Sequence, residues 1–224
     1  MSDKLIFWDW SGTLADESRL DKAVCRSMEQ DLARNRGIPF AEAEALFNRH
    51  LKALEGTWPW HDYVRHGEAL DIDWKRSQEA HLELLTVVEG APEILALSRE
   101  RGYRNILATN AVGRVARLRV DHAGLSDHFD SIIGSDEAGA LKSEGRHFQL
   151  GLERFSGDPG RSFSIGDNPV QDIRPAGRLG LATVFCESGR HLTHYHSEHL
   201  NENHNETVEP DFRIRRLLEL ESII

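Results

Sequence analysis

Lys4-Leu5-Ile6-Phe7-Trp8-Asp9-Trp10-Ser11-Gly12-Thr13-Leu14 is the stretch that decides the fold. Its apolar run ends in an aspartate, and Ser-Gly-Thr follows two residues later. A short apolar run bounded by a turn signal has the look of a strand buried in a parallel sheet. In open α/β sheets, ligands bind just beyond the carboxyl ends of the strands. Asp9 is expected at such an end, and Gly12 lets the backbone turn closely around a bound group. A carboxylate there can serve as nucleophile, metal ligand or both.

Outward from this run the chain has two textures. From about Asp16 to Val87 the pattern is helical. Leu20, Ala23, Val24, Ser27, Met28 and Leu32 recur at helical spacing, with Gly37 as a stop. Ala43, Leu46, Phe47, His50, Leu51 and Leu54 form one face of a second helix that stops at Gly56, and a further helix is expected from near Ile72 to Leu85. Thr57-Trp58-Pro59-Trp60 reads as a loop or helix start. From Gly90 onward helices alternate with short strands: Asn105–Ala108, Ser131–Ile133, Ser162–Ile165 and Ala182–Cys186. Such alternation implies a parallel sheet covered on both faces. The first strand must join that sheet. The expected fold is therefore α/β, a Rossmann-like parallel sheet sandwiched by helices, with an inserted α-helical cap. The core comprises 1–14 and 89–224, and the cap 15–88. Residues 188–208 are polar and read as a loop before a closing helix around Ile214 to Leu220.

Composition narrows the partners. The 224 residues carry 27 Lys and Arg against 37 Asp and Glu, a formal charge of −10. Nucleic-acid backbones call for clustered positive charge, so they are not the expected partner. No stretch is long and apolar enough to span a bilayer, and the N-terminus carries no signal-peptide pattern. Cys25 and Cys186 lie far apart, without metal-site spacing, which fits reduced thiols and a cytoplasmic location. The chain is expected to be a monomer or homodimer.

Three strands end in polar residues, Asp9, Thr109 and Asp167, and the loop after a fourth supplies Lys142. Together these resemble the four motifs of the haloacid dehalogenase superfamily of hydrolases. Asp9-Trp10-Ser11-Gly12-Thr13-Leu14 resembles motif one, Ala108-Thr109-Asn110 motif two, Lys142 motif three, and Gly166-Asp167-Asn168-Pro169-Val170-Gln171-Asp172 motif four. The resemblance implies a Mg²⁺-dependent hydrolase acting on a small phosphorylated metabolite. Asp9 would attack phosphorus and form an aspartyl-phosphate. Asp9, Asp167 and the backbone carbonyl of Ser11 would hold Mg²⁺, with Asp172 steadying the metal from further out through water. Thr109 and the N–H of Asn110 would bind phosphate oxygens, and Lys142 would neutralise Asp9 and the phosphoryl group. Each residue also has a plainer reading: strand-end Asp and Thr often only cap helices, and a loop lysine is often simply solvated.

Ser11 departs from the family pattern. Most phosphatases of this family carry a second aspartate there, which protonates the leaving oxygen and then activates water. A serine hydroxyl cannot do that work near neutral pH, and general acid–base catalysis contributes about 10²–10⁴-fold. Four explanations stand. The chain is a phosphatase for good leaving groups, or one borrowing an acid such as His50, His61 or His66. It resembles phosphonoacetaldehyde hydrolases, which cleave a carbon–phosphorus bond through a cap lysine, here Lys52. It follows the metal-free dehalogenase branch, against which the intact motif four argues. Or it binds a phosphate ligand in a regulatory role with little turnover; P-type ATPases, similar in core motif, carry Thr here and keep a longer-lived aspartyl-phosphate.

The insert is expected to select the substrate, with Trp58, Trp60, His61 and Tyr63 as a stacking wall or simply as cap core. Trp10, directly after the nucleophile, is expected to line the entrance. His191, His194, His196, His199 and His204 form a histidine-rich run, which reads as a solvated loop rather than a transition-metal site.

Overall fold

The computed structural model describes residues 3–187 and 209–224. The histidine-rich run and the whole of the expected polar loop, 188–208, lie outside them.

Six parallel strands form the central sheet: β1 (Lys4–Trp8), β4 (Tyr103–Ala108), β5 (Ser131–Ile133), β6 (Phe163–Gly166), β7 (Ala182–Cys186) and β8 (Phe212–Ile214), in the order β5-β4-β1-β6-β7-β8. Alternation along β1 sends its side chains to opposite faces. Ile6 and Trp8 pack with Leu107, Ile165 and Val184 against α5 (Ala91–Glu100) and the C-terminal residues Leu217 and Leu220. Leu5 and Phe7 pack with Ile106, Ala108 and Ile133 against α8 (Arg146–Phe155) and α9 (Arg174–Arg178), through Phe148 and Ala176. The strand is therefore apolar throughout because both of its faces are covered.

Two short strands, β2 (Ala15–Asp16) and β3 (Thr86–Val87), pair antiparallel and bracket a helical block. That block contains α1 (Ser18–Arg36), α2 (Phe40–Lys52), α3 (Tyr63–Leu70) and α4 (Trp74–Glu79), with 3₁₀ turns at Trp58–His61 and Leu82–Leu84. It has its own core of Leu20, Val24, Met28, Leu32, Phe47, Leu51 and Leu70. Gly37 ends α1 at φ 63, a left-handed conformation that glycine adopts without strain. A second apolar contact joins Val64 of α3 to Val112 and to Val115 of α6 (Gly113–His122), with Trp58 packed beside them.

Three elements differ from expectation. The helix expected from Ile72 to Leu85 is only the short α4, begun by the Asp73 carboxylate accepting from Arg76 N at 3.0 Å. The chain after it must extend to pair Thr86 with Asp16, which stops the helix early. α3, for which the sequence offers only a loop or helix start at 57–60, is capped by Asp62, which accepts from Arg65 N at 3.0 Å, and it ends at Asp71 with φ 58. At the C-terminus, the expected helix from Ile214 is replaced by β8 and a 3₁₀ turn over Leu217–Ser222. Ala182–Cys186 is therefore not the sheet edge. Asp211 fixes the added strand by accepting from Thr183 N and Thr183 Oγ1, each at 2.8 Å. Among the described residues, no helix is long and apolar enough to cross a membrane.

Candidate active site

β1 lies between β4 and β6, so the residues that follow these three strands converge over the middle of the sheet. This is where the chain order reverses, from β4 and β5 on one side of β1 to β6 on the other, the place where such sheets bind ligands. Asp9 follows β1, its N–H bonded to Ile165 O at 2.9 Å. Trp10 O then accepts from the N–H groups of Thr13, Leu14 and Ala15, curling the chain into a tight loop in which Gly12 has φ 88.

Asp9, Asp167 and Asp172 come together, each offering a carboxylate oxygen within 4.8 Å of the others. Asp172 sits on a π-helical turn (Pro169–Ile173), with Asn168 N donating to its Oδ2 at 3.0 Å. A Cβ at Gly166 would collide with the Asp172 side chain, so glycine is required at the end of β6. Lys142 reaches in from its 3₁₀ turn (Lys142–Glu144), with its ammonium on Asp9 and, at 2.5 Å, on Asp172.

Lys142, Asp9 and Asp172 are all buried. Burial works against the lysine charge, but Asp172 and Asp9 outweigh it and raise the Lys142 pKa above its ordinary value. Asp172 is pushed up to about 7, by burial first and by Asp9, with Lys142 opposing both. Lys142 pairs with Asp9 and Asp172, and Asp167 adds a third carboxylate to the cluster. An all-oxygen, carboxylate-rich donor set suits a hard divalent cation, so the residues present fit one.

The second and third loops are tied to this cluster. Lys142 N donates to Asn110 Oδ1 at 2.8 Å, and Asn110 Nδ2 donates to Gln171 Oε1 at 2.8 Å. The Asn110 side chain is thereby committed to holding loops together, and only its backbone remains for a ligand. Thr109 is buried nearby, and its Oγ1 accepts from Ala111 N at 3.2 Å. His147, which the sequence reading missed, lies beneath, with Nε2 at 3.1 Å from Thr109 O. Burial and then Lys142 push its pKa down to about 3, so this imidazole is neutral and donates to the carbonyl.

Other expected site residues are elsewhere. Trp10 does not line an entrance: it is buried in the core, with Nε1 donating to Glu17 Oε1 at 2.7 Å. Lys52 is exposed at the end of α2, and among the described residues its ammonium makes no ion pair. Trp58 is half-buried against Val64, Val112 and Val115, directly after the Thr109 loop. Trp60 packs on the core of the helical block. His50 and His66 face each other there at 3.0 Å, and His66 Nε2 lies 3.0 Å from Trp60 O.

Ser11 keeps its place after Asp9, but its hydroxyl is not free. Ser11 Oγ donates to Glu17 Oε2 at 2.5 Å. Glu17 Oε1 also accepts from Arg119 Nη1 at 2.8 Å, and Arg119 Nη2 donates to Asp21 Oδ1 at 2.7 Å. Gln78 Oε1 accepts from Arg119 Nε at 3.0 Å, and Tyr63 Oη donates to Asp21 Oδ1 at 3.1 Å. Glu17 and Arg119 carry no periodic signal. Glu17 reads as a helix-start residue, and Arg119 as one of several arginines on a polar helix.

Comparison with known proteins agrees with this geometry. The sequence profile described as haloacid dehalogenase-like hydrolase matches residues 4–180, and a second, HAD-hydrolase-like, matches residues 141–220. A phosphoserine phosphatase of Thermus thermophilus is 28% identical, over 83% of this chain and 89% of that protein. A probable phosphatase, IndB, of Dickeya dadantii is 30% identical over 84% of this chain and 83% of its own length. The crystal structure of a HAD phosphatase from Thermococcus onnurineus superposes with a TM-score of 0.79 at 26% identity, covering 98% of this chain and 97% of that one. A parallel sheet with the motif residues gathered at its carboxyl edge and a profile match across most of the chain give one conclusion: the chain belongs to the haloacid dehalogenase-like hydrolase family.

Proposed function

We propose that the chain is a Mg²⁺-dependent phosphatase that acts on a small phosphorylated metabolite through an aspartyl-phosphate on Asp9. The observation that carries this reading is the convergence of Asp9, Asp167, Asp172 and Lys142 above adjacent strand ends, three carboxylates against one ammonium. The phosphatases among its relatives support the reaction class. The formal charge of −10 supports a small ligand rather than a nucleic-acid strand.

In this mechanism an Asp9 oxygen attacks phosphorus, and the bond to the leaving oxygen breaks. Water then attacks the aspartyl-phosphate and regenerates Asp9, so one hard displacement becomes two easier ones. Lys142 balances charge on Asp9 and the phosphoryl oxygens, and it is already desolvated and in place. Thr109 and the backbone N–H of Asn110 hold the phosphoryl oxygens. His147, donating to Thr109 O, keeps that loop in register. Asp9, Asp167, Asp172 and the carbonyl of Ser11 would hold Mg²⁺, which, when bound, lets an anionic nucleophile approach an anionic phosphate. Residues 15–88 act as a cap that closes the site and selects the substrate. Trp58, half-buried, packs with Val64 against Val112 and Val115. Lys52, exposed on α2, lends no support to carbon–phosphorus cleavage.

The test is phosphate release from a panel of phosphate monoesters and acetyl phosphate, with and without Mg²⁺, for wild type and Asp9→Asn. Release that requires both Asp9 and Mg²⁺ is expected. Release that survives Asp9→Asn contradicts the mechanism.

A further inference from the structure

Glu17 and Arg119 are buried charges beside the nucleophile loop with no part in the phosphoryl chemistry above. Glu17 accepts from Ser11 Oγ at 2.5 Å, from Trp10 Nε1 at 2.7 Å and from Arg119 Nη1 at 2.8 Å. Trp10 and Arg119 contribute N–H groups, which can only donate, and the guanidinium stays charged. Glu17 thus has both oxygens occupied by donors. Its orientation is fixed from three directions, since Arg119 (α6) is itself pinned by Asp21 (α1) and by Gln78 (α4).

Ser11 has one hydroxyl proton, and it lies in a short hydrogen bond to a carboxylate. Charge-assisted bonds of this kind are roughly twice as strong as neutral ones. An ester oxygen on phosphorus is a weak acceptor and cannot take that proton away. We propose that Glu17 is a positioning residue that holds the Ser11 proton away from the leaving group. The site then offers that oxygen no acid from this loop, and its substrate is a phosphoryl group on a weakly basic oxygen, as in an acyl phosphate or a phosphoanhydride. This deepens the phosphatase reading and rests on it.

The balance closes without a proton donor. Asp9 attacks phosphorus, the P–O bond to the leaving group breaks with its electron pair, and a carboxylate or phosphate departs as a stable anion. Water then attacks phosphorus, the bond to Asp9 breaks, and both hydrogens of the water leave on inorganic phosphate. An alkyl phosphate would instead have to release an alkoxide, for which an acid contributes about 10²–10⁴-fold.

The experiment measures kcat/KM with Mg²⁺ for acetyl phosphate, ADP, an aryl phosphate and glycerol phosphate, because kcat/KM reports the step that expels the leaving group. Wild type should favour acetyl phosphate or ADP over glycerol phosphate by more than about 10²-fold. Whichever of those two is faster identifies the kind of weakly basic leaving group. The double variant Ser11→Asp/Glu17→Gln, which supplies an acid and removes its rival carboxylate, should narrow the gap by about 10²-fold. A purely structural Glu17 would lower all four substrates alike, which overturns the proposal. So does Asp9-dependent hydrolysis by wild type of glycerol phosphate within tenfold of acetyl phosphate, while leaving the phosphatase reading intact. Release from none of the four, or release unaffected by Asp9→Asn, removes that reading and this proposal with it. If the double variant does not fold, the wild-type series alone decides.

Discussion

Two buried ionic clusters lie on either side of the Asp9–Ser11 loop, and they are built on opposite terms. In one, Asp9 and Asp172 share the ammonium of Lys142, and Asp167 lies beside them. In the other, Glu17 and Asp21 share the guanidinium of Arg119, and Gln78, Trp10 and Tyr63 supply further hydrogen bonds. The first is left with too much negative charge and keeps oxygens available for a ligand. The second has one carboxylate in excess of its guanidinium, and its principal oxygens are already taken. An under-compensated cluster is a site, whereas a satisfied one is a brace.

Breaking each cluster should therefore cost different things. Asp9→Asn should lower phosphate release by on the order of 10³-fold or more while leaving the melting temperature nearly unchanged, because it removes a repelling carboxylate. A calorimetric scan beside the activity assay checks both halves. Arg119→Met should do the reverse to stability, leaving two buried carboxylates without their cation. Urea unfolding should show a loss of about 3–5 kcal/mol, partly recovered by adding Glu17→Gln and Asp21→Asn.

Two smaller effects sharpen the contrast. His147 is held near pKa 3, below the ordinary 6.5, so the unfolded chain binds its proton more readily. Stability should be full above pH 6.5 and fall as the pH drops, by about 2 kcal/mol on reaching pH 5. His147→Gln should flatten that part of the curve. Glu29 is buried on α1 with neither carboxylate oxygen hydrogen-bonded, and burial, then Glu44, raises its pKa. Its contribution is present below the unfolded carboxylate range and lost as pH rises. Glu29→Met should thus stabilise the protein at pH 7 by about 1 kcal/mol, an advantage that fades toward pH 4.

The sequence made one cluster legible and hid the other. Asp9, Thr109 and Asp167 stand where apolar strands stop, so local pattern alone marks them, and Lys142 follows from motif order. Glu17 and Arg119 are 102 residues apart and meet only because α6 returns to pack beside the first loop. No local period carries such a contact. The same limit explains β8, whose Phe212-Arg213-Ile214 is a strand through pairing with β7 and not through its own alternation. It also explains Trp10, which adjoins the nucleophile in sequence yet turns into the core.

The most direct test of the central claim is chemical capture of the intermediate. Acetyl phosphate and Mg²⁺ are mixed with the protein, the reaction is quenched in acid, and the peptides are read by mass spectrometry. One phosphoryl group is expected on the peptide carrying Asp9, absent in Asp9→Asn. Rapid phosphate release with no phosphoryl group on that peptide at any quench time, or the group on another residue, would contradict it.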